Sequence, residues 1–289
     1  MTLNTAHGRA IKSQLFKVFG VTRQAVSKSL RTPVGEAKRQ RRSSLPNSSP
    51  AELIKPAIVR ITSEHLAWGV RKVWATLRRE GFVVSQKRVY ALMKSMGLTL
   101  EASPQRSRST FGQVAVSEPN RRWGTDLTTV WTKLDGWVAV VPVLDYGDRY
   151  LLDIAVTKSQ DSLAVLAPIQ RALEEQFGKR QNVPHGLELR TDHGPQYTGA
   201  DCEQLCWRWQ LDHTYSPIGR PTGNSVAERF ILTMKTELIW TQDWESVQEL
   251  EAAIQAWRLI YNQQRPHQAL RWQTPYERRY HNSTLAQVS

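Results

Sequence analysis

Apolar positions change their period along this chain, and the change divides it. Near the start they follow helical spacing in two short runs, Ile11, Leu15, Val18 and Phe19, then Val26 and Leu30. Gly20 separates the runs, and Thr22 is placed to cap the second. A stretch rich in Pro, Ser and Arg follows without periodicity and reads as a linker. Helical stripes return as Val70, Val73, Trp74 and Leu77, ending at Gly81, and as Val89, Leu92, Met93 and Met96 behind a Ser85 cap. After a second polar linker the pattern becomes that of strands and helices in alternation. "RRWGTDLTTVWT", "GWVAVVPVLDYG" and "YLLDIAVTK" read as three strands joined by turns at Asp135–Gly136 and Tyr146–Asp148. A helix starting at Ser159 or Asp161 and stopping at Gly178 comes next. "GLELRTDHG" is a fourth strand, "GADCEQLCWRWQ" a short helix and "LDHTYSPI" a fifth strand, followed by the helix "RPTGNSVAERFILTMKTELI". The expected architecture is an α/β unit, a mixed five-stranded sheet with flanking helices, preceded by all-α helix-turn-helix units. The expected boundaries are 1–33, 34–50 (linker), 51–100, 101–118 (linker), 119–283 with a helical C-terminal extension, and a tail over 284–289.

Charge gives the helical part a role. The 289 residues carry +13, yet the first 115 hold 21 Lys and Arg against 5 Asp and Glu, leaving the rest slightly acidic. That asymmetry is the electrostatic footprint of a nucleic-acid partner, DNA or RNA, and the helix-turn-helix pattern points it to double-stranded DNA. The second helix of the first unit shows Arg23, Gln24, Ser27 and Lys28 on its outside, and Arg and Gln are side chains that read base edges. In the second unit Arg71, Lys72, Arg78, Arg79, Lys87, Arg88 and Lys94 are expected outside, with the helix after Ser85 as the reader. No apolar run approaches the ~18 residues of a membrane span, and no signal peptide is evident, so a cytoplasmic protein without membrane contact is expected. Cys202 and Cys206 are the only cysteines and lie four apart on a helix. With His213 as the one ligand nearby, they fall short of a four-ligand zinc site and read as packing thiols.

Three carboxylates stand where carboxylates are locally disfavoured. Asp126 falls in the middle of the first strand, Asp192 at the carboxyl end of the fourth, and Glu228 on the last helix. At about 100° per residue, Asn224, Glu228 and Lys235 share one stripe of that helix, and Val226, Phe230, Met234 and Leu238 the opposite one. Glu237 falls near the apolar side, for which the pattern offers no reason. A carboxylate able to hold a metal and a lysine able to hold a phosphate on one face suit phosphodiester chemistry. Mg²⁺ prefers such oxygen ligands. The local alternatives are an Arg partner for Asp126 and a turn cap for Asp192.

At these residues the chain resembles the DDE transposases and retroviral integrases, specifically the integrase-like transposase of bacterial insertion sequences. "RRWGTDLT", "LRTDHGPQYTG" and "GNSVAERFILTMKTEL" resemble the three carboxylate motifs, and 35 residues separate Asp192 from Glu228, the D,D,35,E interval. "YNQQRPHQALRWQTPYE" resembles the C-terminal box, and "WGVRKVWATLRREG" with "RVYALMKSMGL" the helix-turn-helix region. The chain departs from the pattern at Gly223, where the family often has Asp, and at Arg271, where it often has Gly. The resemblance implies a ribonuclease H-like catalytic core in which Asp126, Asp192 and Glu228 hold two Mg²⁺ ions, with Mn²⁺ able to substitute. One ion would activate the attacking oxygen and the other stabilise the leaving 3′ oxygen. It implies cleavage at the terminal inverted repeats of an insertion sequence and transfer of the 3′-OH to target DNA. Lys235 would contact phosphate, His193, Tyr197 and Asn224 would support the site or set local turns, with Asn224 also a DNA contact, and Tyr261, Asn262, Arg265, Pro266 and His267 would pack a helix end or touch DNA. It also implies a homo-oligomer on paired ends of a bacterial element, nucleoid-associated when bound. In many relatives ribosomal frameshifting fuses an upstream frame, which leaves two expectations for this chain, acting alone or as the downstream product of such a fusion. Two other readings remain: a DNA-binding protein that ignores its carboxylates, and a nuclease without strand transfer.

Overall fold

The computed structural model describes residues 49–100, 116–217 and 224–280. The first helical segment with Arg23, Gln24 and Lys28, most of both linkers, Gly223 and the tail lie outside the described residues.

Three helices, α1 (Ala51–Glu64), α2 (Val70–Arg79) and α3 (Gln86–Ser95), share one core built from Ile54, Ile58, Ile61, Trp68, Val73, Leu77, Val89 and Met93. The Ser85 hydroxyl accepts from the Arg88 amide and caps α3, as expected. Helix α1 escapes the pattern reading. Its isoleucines recur at helical spacing, but Pro56 inside the run is a residue that ordinarily ends a helix.

The sheet comprises β1 (Arg122–Thr125), β2 (Thr128–Thr132), β3 (Gly136–Asp145), β4 (Leu151–Thr157), β5 (Glu188–Thr191) and β6 (Asp212–Tyr215). Strand β3 pairs antiparallel with β4 on one edge and with both β1 and β2 on the other. Strand β5 lies parallel to β1, and β6 parallel to β5. This is the expected mixed sheet with its first strand broken in two. The register runs straight through the break: Thr125 faces Val143 and Thr128 faces Val140, leaving Asp126 and Leu127 opposite Pro142 and Val141. Proline brings no amide hydrogen to a ladder. The Leu127 amide donates instead to the Asp126 carboxylate, at 2.8 Å. Asp126 is therefore in a gap between two strands rather than inside a continuous one.

Alternation along β3 builds a core on each face. Val141 and Val143 pack under α4 (Ser162–Phe177), α5 (Pro195–Thr198) and α6 (Ala200–Trp209). Val138, Val140 and Leu144 pack under α7 (Ser225–Glu237) and α8 (Val247–Leu259), where Phe230, Met234, Trp244 and Trp257 join them. Asp161, not Ser159, caps α4, accepting from the Ala164 amide, and Gly178 ends it at φ +67°.

The C-terminal box packs. After α8 the chain makes a π turn, Ile260–Gln264, and then α9 (Pro275–Tyr280). Asn262 accepts from the Leu151 amide and donates to the Leu151 carbonyl, serving as a ladder partner for β4. Tyr261, Arg265 and His267 are buried. Arg279 on α9 reaches Asp145 at 3.2 Å and Asp148 at 2.7 Å. Arg271 and Trp272 both have positive φ, 53° and 69°. The left-handed conformation at Arg271 accounts for glycine being suited to that position, since an L side chain pays about 1–2 kcal/mol there. Arg271→Gly is expected to stabilise the fold by up to about 1 kcal/mol once the entropy of glycine is offset, a Tm rise of a few degrees. An unchanged or lower Tm by calorimetry would show that the arginine side chain outweighs its backbone.

Candidate metal and DNA site

Asp126 enters the site through the break between β1 and β2. Burial, and then the charges of Asp192 and Glu228, push its carboxyl up to about 6, against the pull of the Leu127 amide and Lys235. Those causes place all four side chains in one electrostatic neighbourhood. The hydrogen bond its carboxylate receives is from the Leu127 amide. The alternative of a local Arg partner therefore does not describe it.

Asp192 follows β5 directly and is exposed. It does cap its turn, accepting from the Gly194 amide at 2.9 Å. Glu228 is exposed on the first turn of α7, where the helix dipole favours an anion. Partial desolvation raises its pKa. Lys235 is half-buried two turns further on. The carboxylates are not drawn into one tight coordination sphere: among the described residues the group close enough to share an ion is Cys202, Cys206 and His213. Three carboxylates in one electrostatic neighbourhood, two of them with raised pKa, are nonetheless a donor set suited to a hard divalent cation, whose charge would relieve their repulsion.

The expectation for Asn224 is corrected. Its side chain is 5% exposed, accepts from the Tyr146 hydroxyl, and donates to the Thr125 carbonyl at 3.3 Å. It ties the start of the Glu228 helix to the strand that ends beside Asp126 and offers DNA nothing. Gly124 makes that tie possible, because a Cβ there would lie 2.3 Å from the Tyr146 ring. Sequence reasoning missed Tyr146, Gly124 and Thr125 in this role; the one signal was a glycine inside a strand, two residues before Asp126. Tyr197 is buried and places its hydroxyl 3.4 Å from the Thr125 hydroxyl, which puts it behind the site. His193 is exposed and stacks on Tyr215.

Lys72 is also corrected. It pairs with Glu237 at 2.5 Å, and Glu237 in turn takes a fork of bonds from Arg265 at 3.0–3.1 Å and one from the Trp68 indole. Burial lowers the Lys72 pKa, with Arg265 adding to it. The carboxylate without a reason on the apolar side of α7 is thus the anchor joining the three-helix bundle to the sheet unit. Arg79 is likewise committed to Glu277, at 2.5 and 2.6 Å. Arg71 and Lys87 remain exposed and Arg88 half-buried.

The integrase core domain family matches residues 116–221, a second integrase core domain family matches 209–275, and an HTH-like domain family matches 50–107. The transposase InsD of insertion element IS2A/D/F/H/I/K from Escherichia coli is 30% identical over 233 residues, covering 75% of each chain. The chain belongs to the insertion-element transposases. The insertion element IS407 uncharacterized 31.7 kDa protein from Burkholderia multivorans is 26% identical over 229 residues, 78% of this chain and 80% of that one. Among solved structures, the simian T-cell lymphotropic virus intasome has a TM-score of 0.49 at 17% identity, covering 79% of this chain and 76% of the other.

The core over residues 116–221 is of the integrase core domain family, and the enzyme class is that of polynucleotidyl transferases and nucleases. One pH dependence follows from Asp126. Its raised pKa means that protonated Asp126 favours the metal-free fold at low pH, and that this contribution is lost as pH rises through about 6 and the charged form takes over. A cation reverses that penalty. Added Mg²⁺ is therefore expected to raise Tm at pH 8 and to have a much smaller effect at pH 5. Equal Mg²⁺ shifts at both values would contradict the assignment of Asp126.

Proposed function

We propose that this transposase binds the terminal inverted repeats of an insertion sequence, cuts at the 3′ ends, and joins the freed 3′-OH to target DNA. The observation that carries the reading is the shared electrostatic field of Asp126, Asp192, Glu228 and Lys235 at a break in the central sheet. Asp126, Asp192 and Glu228 would hold two Mg²⁺ or Mn²⁺ ions, which supply Lewis acidity toward the attacking and leaving oxygens. The chain's own groups do the rest. Lys235 neutralises a phosphate beside the carboxylates. Asn224, held by Tyr146 and Thr125, fixes where the Glu228 helix begins. Water attacks phosphorus and the bond from phosphorus to the 3′ oxygen breaks; the resulting 3′-OH then attacks a target phosphorus and displaces the target strand's own 3′ oxygen, so no covalent enzyme intermediate is needed. The exposed Arg71 and Lys87, with Arg88, supply phosphate contacts whose strength falls with salt. No described helix is long and apolar enough to cross a membrane, and DNA in the cytoplasm is the proposed substrate. A homo-oligomer would bring two ends together, with or without an upstream-frame partner.

The test is incubation of the full chain with Mg²⁺ and a duplex carrying the element end, beside a pre-cut end and target DNA. Nicking and joining are expected. Nicking without joining would favour a plain nuclease, and binding with neither would favour a silent DNA-binding protein.

A further inference from the structure

Cys202 and Cys206 lie one turn apart on the buried side of α6, and His213 stands beside them on β6. One ligand atom from each lies within 4.8 Å of the others. None of the three belongs to the carboxylate site.

The histidine tautomer is decided by its neighbours. The Thr191 hydroxyl donates to the Asp192 carbonyl at 2.8 Å, so its hydrogen is spent. The same oxygen lies 3.0 Å from His213 Nε2, which therefore carries the hydrogen and donates. Nδ1 keeps its lone pair and faces Cys202 Sγ at 4.0 Å. An imidazole held through one nitrogen, with the other free toward two thiols, is how metal-ligating histidines are oriented. Cys206, and after it His213, pull the Cys202 thiol down, while the same contact with Cys202 and burial push the Cys206 thiol up, so the pair shares its proton unevenly.

We propose that Cys202, Cys206 and His213 bind one zinc ion, separate from the carboxylate centre, with a fourth position for a solvent ligand. Tetrahedral zinc with Zn–S about 2.3 Å and Zn–N about 2.0 Å sets its ligand atoms roughly 3.5–3.8 Å apart, so the group has to close by only about 1 Å. Thiolates select zinc over Mg²⁺, and the Cys206 proton leaves to solvent as the ion binds. The ion ties α6 to β6 and, through His213 and Thr191, braces the backbone that presents Asp192.

The experiment uses the full chain, reduced and chelator-stripped, titrated with Co²⁺ in excess Mg²⁺, which occupies sites built only from oxygen. The expected result is saturation at one ion per chain with a near-ultraviolet thiolate-to-cobalt band, displaced by Zn²⁺. Cys202→Ala/Cys206→Ala should lose the band. Because that variant can lose its fold, the wild-type chain gives a second reading: Zn²⁺ should slow alkylation of the two cysteines. Co²⁺ binding without the band, or alkylation at the same rate with and without Zn²⁺, would overturn the proposal.

Discussion

Glu228→Gln is expected to lower strand cleavage by about a thousandfold or more, because losing a ligand to catalytic metal forfeits several kcal/mol of transition-state stabilisation, at about 1.4 kcal/mol per tenfold. The substitution keeps the shape and removes only the charge. Glu228 is exposed, and its backbone amide already bonds to the Asn224 carbonyl, so the helix start does not depend on the carboxylate. Removing it also removes one of the charges that repel Asp126. The fold should be unharmed, and binding to element-end DNA should persist because Lys235 and the basic residues of the helical unit are untouched. Single-turnover cleavage and gel shift on one preparation separate the two effects. Cleavage within tenfold of wild type would remove Glu228 from the metal site.

Arg279→Met is expected to be the most destabilising single change, costing about 3–5 kcal/mol, the range for stripping a buried pair of one partner. Asp145 and Asp148 are both 0% exposed, and Arg279 lies between them. Backbone amides of Asn120, Gly147 and Tyr150 also donate to these carboxylates, so they cannot turn away to solvent. The pH dependence identifies the cause. Burial pushes both carboxyls up, Asp148 to about 6 with Asp145 adding to it, and Arg279 holds both down. Without the guanidinium they rise further. A raised carboxyl is least harmful below its unfolded pKa and costs progressively more as pH climbs through the folded one. The Tm deficit relative to wild type should therefore be large at pH 8, about 10 °C, and clearly smaller at pH 5. An equal deficit at both would mean that the methionine packs badly, not that two charges are stranded.

Much of the site was legible because its elements obey local rules. Strand alternation, the caps at Ser85 and Asp161, and the stop at Gly178 are all set by neighbours in the chain. The spacing of Asp192 and Glu228 is likewise plain in the sequence. What was missed depends on partners far away. Asn224 was placed on the wet face by helical phase, but it sits at the cap with φ −119°, outside the helix, where 100° per residue no longer holds. Glu237 made no sense on α7 alone, because its partners Lys72 and Arg265 are 165 and 28 positions distant. The break at Asp126 belongs equally to Pro142, whose position opposite it is a matter of register. Helix α1 was hidden by Pro56, a residue whose usual effect is overridden here by three isoleucines filling the bundle core.

The most direct test of the central claim, that Asp126, Asp192 and Glu228 form one metal centre, is iron-mediated cleavage of the protein itself. Fe²⁺ bound in place of Mg²⁺, with ascorbate and peroxide, cuts the backbone next to its ligands. Fragments ending near residues 126, 192 and 228 together are expected, all suppressed by excess Mg²⁺ and all weakened in Asp192→Asn. Cuts that omit 126 and 228, or that Mg²⁺ does not suppress, would contradict the claim.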